Sequence, residues 1–306
     1  MTKPKINIKK FLIYLPALLA MIFFGMSFIW TKVLLDYYGP ITIIFLRLII
    51  SAILLTLFIF SRGGIKVEHS DYKYFFILAL FEPFLYFLGE NYGIRYVSPT
   101  VASIIISTIP VVTPIFSYIF LNEKLSIYNI AGLLISFMGV IIVLTAKNST
   151  LVFSLKGILL LFLSVLAAVG YSIIAKPLTG RYSSVKIVYL QNIIGILYFA
   201  PIFFTLEIKD LLQTSLNFEI INALLQLAVF ASTLAFILMT TSIRKLGVNK
   251  TNVFVNLIPV ATALFAFILY RQILSIQEII GILIVIIGLF LAQKKKYKKI
   301  VVHEDR

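Results

Sequence analysis

Residues 95–126, RYVSPTVASIIISTIPVVTPIFSYIFLNEKLS, return in outline at residues 244–275 as RKLGVNKTNVFVNLIPVATALFAFILYRQILS. At this offset of 149, Arg95 meets Arg244, Pro110 meets Pro259 and Ser126 meets Ser275; further on, Gly132 meets Gly281 and Gly139 meets Gly288. Earlier in each half an offset of 144 places Lys32 on Lys176. Matches of this kind mark a tandem repeat, so the fold of one copy dictates that of the other.

The surroundings of the repeat say what each copy is. Hydrophobic residues make up 61% of the 306 residues and charged residues 13%, about half the usual share. Mean hydropathy is +1.05, and a soluble fold would leave most of this chain without a polar face. Apolar runs long enough for a helix to cross a ~30 Å hydrocarbon layer recur at 11–36, 40–61, 72–94, 98–121, 127–145, 155–177, 184–206, 219–243, 249–270 and 276–293. The first is too long for a cleaved signal and reads as a retained helix. Five runs per copy is an odd number, so the second copy enters the membrane from the opposite face. The expectation is an all-α integral membrane protein of ten transmembrane helices, arranged as two inverted five-helix repeats over residues 1–147 and 148–306.

The formal charge of +15 raises the question of nucleic acid. Sorted by loop, with the N-terminus inside, 20 of the 27 Lys and Arg fall on the cytoplasmic side and five outside, leaving Lys32 and Arg47 within spans. That asymmetry is the positive-inside signature, so the charge sets orientation rather than nucleic-acid binding. Both termini are expected in the cytoplasm, in a cell membrane, with the tail KKKYKK near anionic lipid. The chain has no cysteine, and its two histidines, His69 and His303, lie in a loop and the tail. No constellation for catalysis, metal or cofactor binding emerges.

Inverted repeats characterise many secondary transporters, whose substrate lies near the midplane between the halves. The run FFGMSFIWTKVLLDYYGPITIIFLRLIISAILL at 23–55, with Gly25, Ser27, Lys32, Pro40 and Arg47, resembles the opening of EamA-type members of the drug/metabolite transporter superfamily. LNEKLSIYNIAGLLISFMGVIIVL at 121–144, with Glu123, Gly132 and Gly139, resembles the close of that family's repeat, although Gln272 stands where a second Glu123 would be. The resemblance implies a ten-helix carrier, often an exporter of amino acids or other small metabolites, with a central cavity. A membrane scaffold or sensor, and a membrane-embedded enzyme, are the rival classes.

Polar residues inside the spans are the candidates for binding. On the fourth span Ser103, Ser107, Pro110 and Pro114 share a helix face, and their mates on the ninth are Asn252, Asn256, Pro259 and Ala263. Pro110 and Pro259 free the carbonyls of Ile106 and Val255, which in lipid need water or another partner. These polar groups serve either as glue between helices or as a cavity wall; recurrence in both halves favours the cavity. On the third span Glu82, Tyr86, Gly89, Glu90 and Gly93 fall within one arc. Glu82, followed by Pro83, lies ~15 Å in from Tyr72, near the midplane. Its mate is Ala231 and that of Glu90 is Met239, so these acids belong to one half. Ser27, Glu82, Tyr86, Ser103, Ser107, Tyr171, Asn252 and Asn256 form the expected substrate set, with Glu82 also the group expected to exchange a coupling proton. Glu90, Lys32 and Arg47 lie at similar depth toward the outer end and are expected to neutralise one another, as a gate or as substrate contacts. Lys176 is expected to do the corresponding task at the inner end. The partners implied are a small-molecule substrate, the lipid bilayer and protons.

Overall fold

The computed structural model describes residues 12–61, 64, 66–122, 126–145, 154–270 and 275–292, and its regular structure among them is helical throughout. A backbone in hydrocarbon can satisfy its polar groups within one segment only as a helix. Helix α1 covers Leu15–Leu35 and α2 Pro40–Phe60, each with proline in its first turn, where the missing N–H leaves nothing unpaired. The third run is composite, with α3 at Tyr72–Ala79, a π-helical segment at Leu80–Leu85 and α4 at Tyr86–Tyr96. The fourth is divided into α5, Pro99–Ile106, and α6, Ile109–Leu121. Then come α7, Ile127–Leu144; α8, Leu155–Arg181; α9, Ser184–Leu206; and the short α10, Ile208–Gln213. The eighth run is α11, Phe218–Gln226, a π segment at Leu227–Ala235, and α12, Phe236–Leu246. The ninth is α13, Val248–Val253, a 3₁₀ turn at Phe254–Asn256, and α14, Leu257–Tyr270; α15, Ile276–Ala292, follows.

Among the described residues seven helical stretches are long and apolar enough to cross a membrane. Three shorter apolar helices, Ile109–Leu121, Ile127–Gly139 and Ile279–Ala292, stand where the fourth, fifth and tenth expected spans lie. Observed ends fall within four residues of the expected ones; the sixth run passes Pro177 and continues to Arg181. Glu123, Lys147, Gln272 and the tail from Lys294 lie outside the described residues.

The interruptions have local causes. Ser107 and Thr108 turn out of the helix before Pro110, their amides bonding Ser103 O and Ile105 O at 3.0 Å each. Glu82 adopts an extended backbone, φ −147° and ψ 115°, as the ring of a following proline favours. In the eighth run no proline is present; there Thr233 Oγ1 donates to Ala228 O, five residues back, at 2.9 Å.

The fifth and tenth runs pack antiparallel at backbone contact. A Cβ on Gly132 would stand 2.5 Å from Gly288 O, and one on Gly139 2.7 Å from Gly281 O. Asn129 Nδ2 also donates to Ala292 O across this pair. The four repeat-related glycines therefore serve close helix packing.

Polar contacts gather at the two ends of α9, which is ~34 Å long. Near Ser184, Asp71 accepts from Arg181 Nη1 and from Tyr182 Oη, each at 2.7 Å. Arg244 donates to Tyr182 O, and Lys176 Nζ to Ile243 O at 3.1 Å. Burial, then the bond to Asp71, raises the Tyr182 phenol above its ordinary pKa, so it remains a donor. At the far end Glu207 accepts from Ile41 N at 3.3 Å, Thr42 N at 2.7 Å and Thr42 Oγ1 at 2.8 Å.

Candidate functional site

The three interruptions at Glu82, at Ser107–Thr108 and at Phe254–Asn256 surround one small cavity of about 40 Å³, room for about three water molecules. Its wall comes from six runs: Met21 and Phe24; Glu82 and Tyr86; Ile106 and Ile109; Ala168 and Ser172; Phe236 and Met239; Asn252, Val255 and Ile258. The two residues whose carbonyls the prolines free, Ile106 and Val255, both line it.

Glu82 is the sole charged residue of that wall and is 7% exposed. Its carboxylate has no hydrogen-bond partner among the described residues. Tyr86 donates to Glu90 Oε1 at 3.1 Å and thereby joins the wall to the second buried acid. Asn252 is tied to its neighbours: its Nδ2 donates to Thr113 Oγ1 at 2.9 Å and to Ser172 Oγ at 3.3 Å.

The remaining expected substrate residues stand outside the wall. Ser27 donates to Phe24 O, in its own helix, at 2.7 Å. Ser103 and Ser107 are fully buried between helices. Asn256 is buried with neither carboxamide atom hydrogen-bonded, and it is not among the wall residues. Tyr171 donates to Gln191 Oε1 at 3.0 Å and meets Thr240 Oγ1 at 3.2 Å; its ring packs edge-on against the cavity residue Phe236. The arc of the third span is likewise divided. Gly89 and Gly93 face α8, where an added Cβ would strike Ser164 and Leu161, whereas Glu82 and Tyr86 face the cavity.

The expected mutual neutralisation of Glu90, Lys32 and Arg47 is not what the side chains do. Among the described residues the one ion pair within 4 Å is Arg181–Asp71 at 2.7 Å. Lys32 is half-buried and joins neither of the other two. Arg47 is buried, its Nε donating to Ser232 Oγ at 2.6 Å, its guanidinium carbon 4.1 Å from the centre of the Phe87 ring, and its Nη1 without a partner. Equal depth along separate helices does not give equal direction around their axes. Lys176 Nζ reaches Ile243 O of the eighth run, at the end of the bundle that holds Asp71. Pro83 packs where a Cβ on Gly195 would lie.

Sequence reasoning missed Ser172, Phe24, Phe236, Met21 and Met239, which carry no signal that separates a cavity face from a packing face. It also missed a buried web beside Arg47. Ser51 Oγ bonds Thr233 Oγ1 at 2.6 Å and accepts from Asn192 Nδ2 at 2.7 Å, linking the second, seventh and eighth runs.

A multi-pass helical bundle whose broken helices converge on a buried carboxylate has the architecture of a membrane transporter. The chain belongs to the EamA-like transporter family, which it matches over residues 11–145 and again over residues 155–293. It is similar to an uncharacterized transporter of Archaeoglobus fulgidus, 26% identical over 278 residues that cover 91% of this chain and 97% of that one. The uncharacterized transporter YetK of Bacillus subtilis is 23% identical over 290 residues, covering 92% and 87% respectively. A solved crystal structure at 16% identity superposes with a TM-score of 0.71, covering 89% of this chain and 97% of its own, and so shares the fold. The protein is a transporter and not an enzyme.

Proposed function

We propose that this protein is a secondary transporter that moves a small neutral or cationic metabolite, an amino acid or a related amine, out of the cell by alternating access. Its ten helices form two inverted five-helix repeats, residues 1–147 and 148–306, in the cytoplasmic membrane with both termini inside. The glycine contacts support the inversion. Gly132 meets Gly288 and Gly139 meets Gly281, so each glycine touches the repeat mate of the other, as an isologous contact about a two-fold axis requires. The π segments at Leu80–Leu85 and Leu227–Ala235 also occupy corresponding places in the two copies.

The observation that carries the substrate reading is the lone carboxylate of Glu82 in a cavity that three broken helices help to line. The other polar side chains of the wall are a phenol, a hydroxyl and a carboxamide, from Tyr86, Ser172 and Asn252. A sugar phosphate would bury about two negative charges there with no Lys or Arg to meet them. An ammonium group finds an acid and hydrogen-bond acceptors. A cavity of about 40 Å³ is too small for any such solute, so loading requires the halves to part. The contacts at Glu207 and at Asp71, at opposite ends of α9, are the ones that parting would break alternately. Glu82 takes up a proton when the solute leaves, which couples flux to the pH gradient.

Competition binding on the purified protein tests the substrate class. Amino acids or amines should displace one another saturably while sugar phosphates have no effect. Tight, saturable binding of a sugar phosphate would reverse the assignment.

A further inference from the structure

Among the described residues the buried charged side chains are Arg47, Asp71, Glu82, Glu90 and Glu207. Three of the four acids accept hydrogen bonds: Asp71 from Arg181, Glu207 from the first turn of α2, and Glu90 from Tyr86. Glu82 faces the cavity. Arg47 is the one cation of the set, and no carboxylate of the described residues comes within 4 Å of it. Its Nε is held by the neutral hydroxyl of Ser232, and its Nη1 has no hydrogen-bond partner. A guanidinium stays charged in a protein interior, and an ionised group without a counter-charge inside a membrane span marks a functional site by default. The repeat does not require a cation there. At the offset of 144 the mate of Arg47 is Gln191, whose Oε1 accepts from Tyr171.

The neighbours of Arg47 place it beside the cavity. The Phe87 ring has its centre 4.1 Å from the guanidinium carbon and packs edge-on against Phe236 of the cavity wall, the two ring centres 6.1 Å apart. Phe87 itself follows the wall residue Tyr86, and Ser232 precedes Phe236 by about one helical turn. Arg47 and Phe87 lie in the first of the two segments that match the family, Ser232 and Phe236 in the second. Both contacts, Arg47 to Ser232 and Phe87 to Phe236, therefore join the two halves. A cavity of about 40 Å³ admits a solute only when the halves part, and parting them takes Ser232 from Arg47 and Phe236 from Phe87. We propose that Arg47 is the carboxylate-binding residue of the opened site, so that the transported solute is an amino acid in its zwitterionic form, with its ammonium on Glu82 and its carboxylate on Arg47.

The inference rests on the cavity being the substrate site, and it narrows the solute from amines in general to those that carry a carboxylate. A planar guanidinium matches a carboxylate in shape, and a hydrogen bond between two charged groups is stronger than one to a neutral hydroxyl. The solute's carboxylate therefore replaces Ser232 with a gain. A simple amine fills Glu82 and leaves Arg47 unpaired. A phosphate monoester brings up to about two negative charges to a single guanidinium and sets them beside the Glu82 carboxylate.

The test is binding to the full-length protein in nanodiscs with matched pairs of probes that share a side chain: leucine and isoamylamine, phenylalanine and phenethylamine, alanine and ethylamine. Wild type should bind the amino acid of a pair more tightly than the amine by about ten-fold or more. Arg47→Gln should remove that advantage while the amine still binds, and Arg47→Lys should keep part of it. A purely structural arginine would weaken both members alike, so an unchanged ratio in Arg47→Gln would overturn the inference. The wild-type ratio needs no variant: an amine bound as tightly as its amino acid overturns the inference as well. A chloride series at constant ionic strength separates the solute's carboxylate from an inorganic anion. Amine binding that is indifferent to chloride supports the assignment; amine binding that climbs with chloride to match the amino acid would overturn it. Equal binding of both members that is lost in Glu82→Gln would leave the amine reading standing and sink only the role of Arg47, whereas no binding by either member of any pair would overturn the reading on which that role rests.

Discussion

Removing the Glu207 carboxylate should uncouple the start of α2 from the far end of α9. Gly39, the residue before α2, has no side chain with which to cap it, and Glu207 does so from the other half of the chain. Glu207→Ala leaves the buried Thr42 N–H without an acceptor, while the Thr42 hydroxyl can rotate toward a backbone carbonyl and the Ile41 contact is already long at 3.3 Å. One orphaned buried donor, together with the lost attraction between a carboxylate and a helix N-terminus, amounts to about 2 to 3 kcal/mol. Glu207→Gln keeps an acceptor oxygen and loses only the charge, about 0.5 to 1 kcal/mol. Reversible unfolding of the purified variants against a denaturant series, at constant slope, measures both differences. A Glu207→Ala loss under about 0.5 kcal/mol would refute the capping role. Equal losses for Ala and Gln would place the effect in packing rather than in the charge.

Three further outcomes concern packing, topology and coupling. Gly132→Leu should weaken the α7–α15 contact severely, because its side chain would enter the Gly288 and Ala292 backbone; loss of the folded fraction on heating measures it, and a wild-type midpoint would contradict the backbone contact. A cysteine at Lys147 should label from outside intact cells and one at Lys66 should not; the reverse pattern would invert the topology. Glu82→Gln should abolish pH-gradient-driven flux at wild-type thermal stability, and unchanged gradient dependence would remove Glu82 from the coupling.

Much of the bundle could be read from the sequence because hydrocarbon leaves a chain few choices: each apolar run had to become a helix, and Pro110 and Pro259 had to interrupt two of them. Glu82 stood out for the same reason, as an acid before a proline in mid-run. Direction around the helix axis was harder to read. Ser103 and Ser107 on the fourth span and Asn252 and Asn256 on the ninth form matching stripes, yet of these four only Asn252 lines the cavity, and the fourth span turns Ile106 and Ile109 to it instead. Counting residues placed Lys32, Arg47 and Glu90 at one depth but could not say which neighbours they face. Glu207 escaped notice because it lies just past a span, where an acid is ordinary; only the fold reveals that it meets the bare N-terminus of a helix 165 residues away from it in sequence.

The central claim, a carrier whose Glu82 cavity binds an amine or amino acid, is tested most directly by uptake into proteoliposomes. Radiolabelled amino acids, amines and sugar phosphates would be offered to wild type and to Glu82→Gln, with and without a pH gradient. The account predicts saturable, gradient-stimulated accumulation of an amine or amino acid by wild type, none by Glu82→Gln, and no uptake of sugar phosphates. Accumulation of a sugar phosphate, or wild-type uptake by Glu82→Gln, would contradict it.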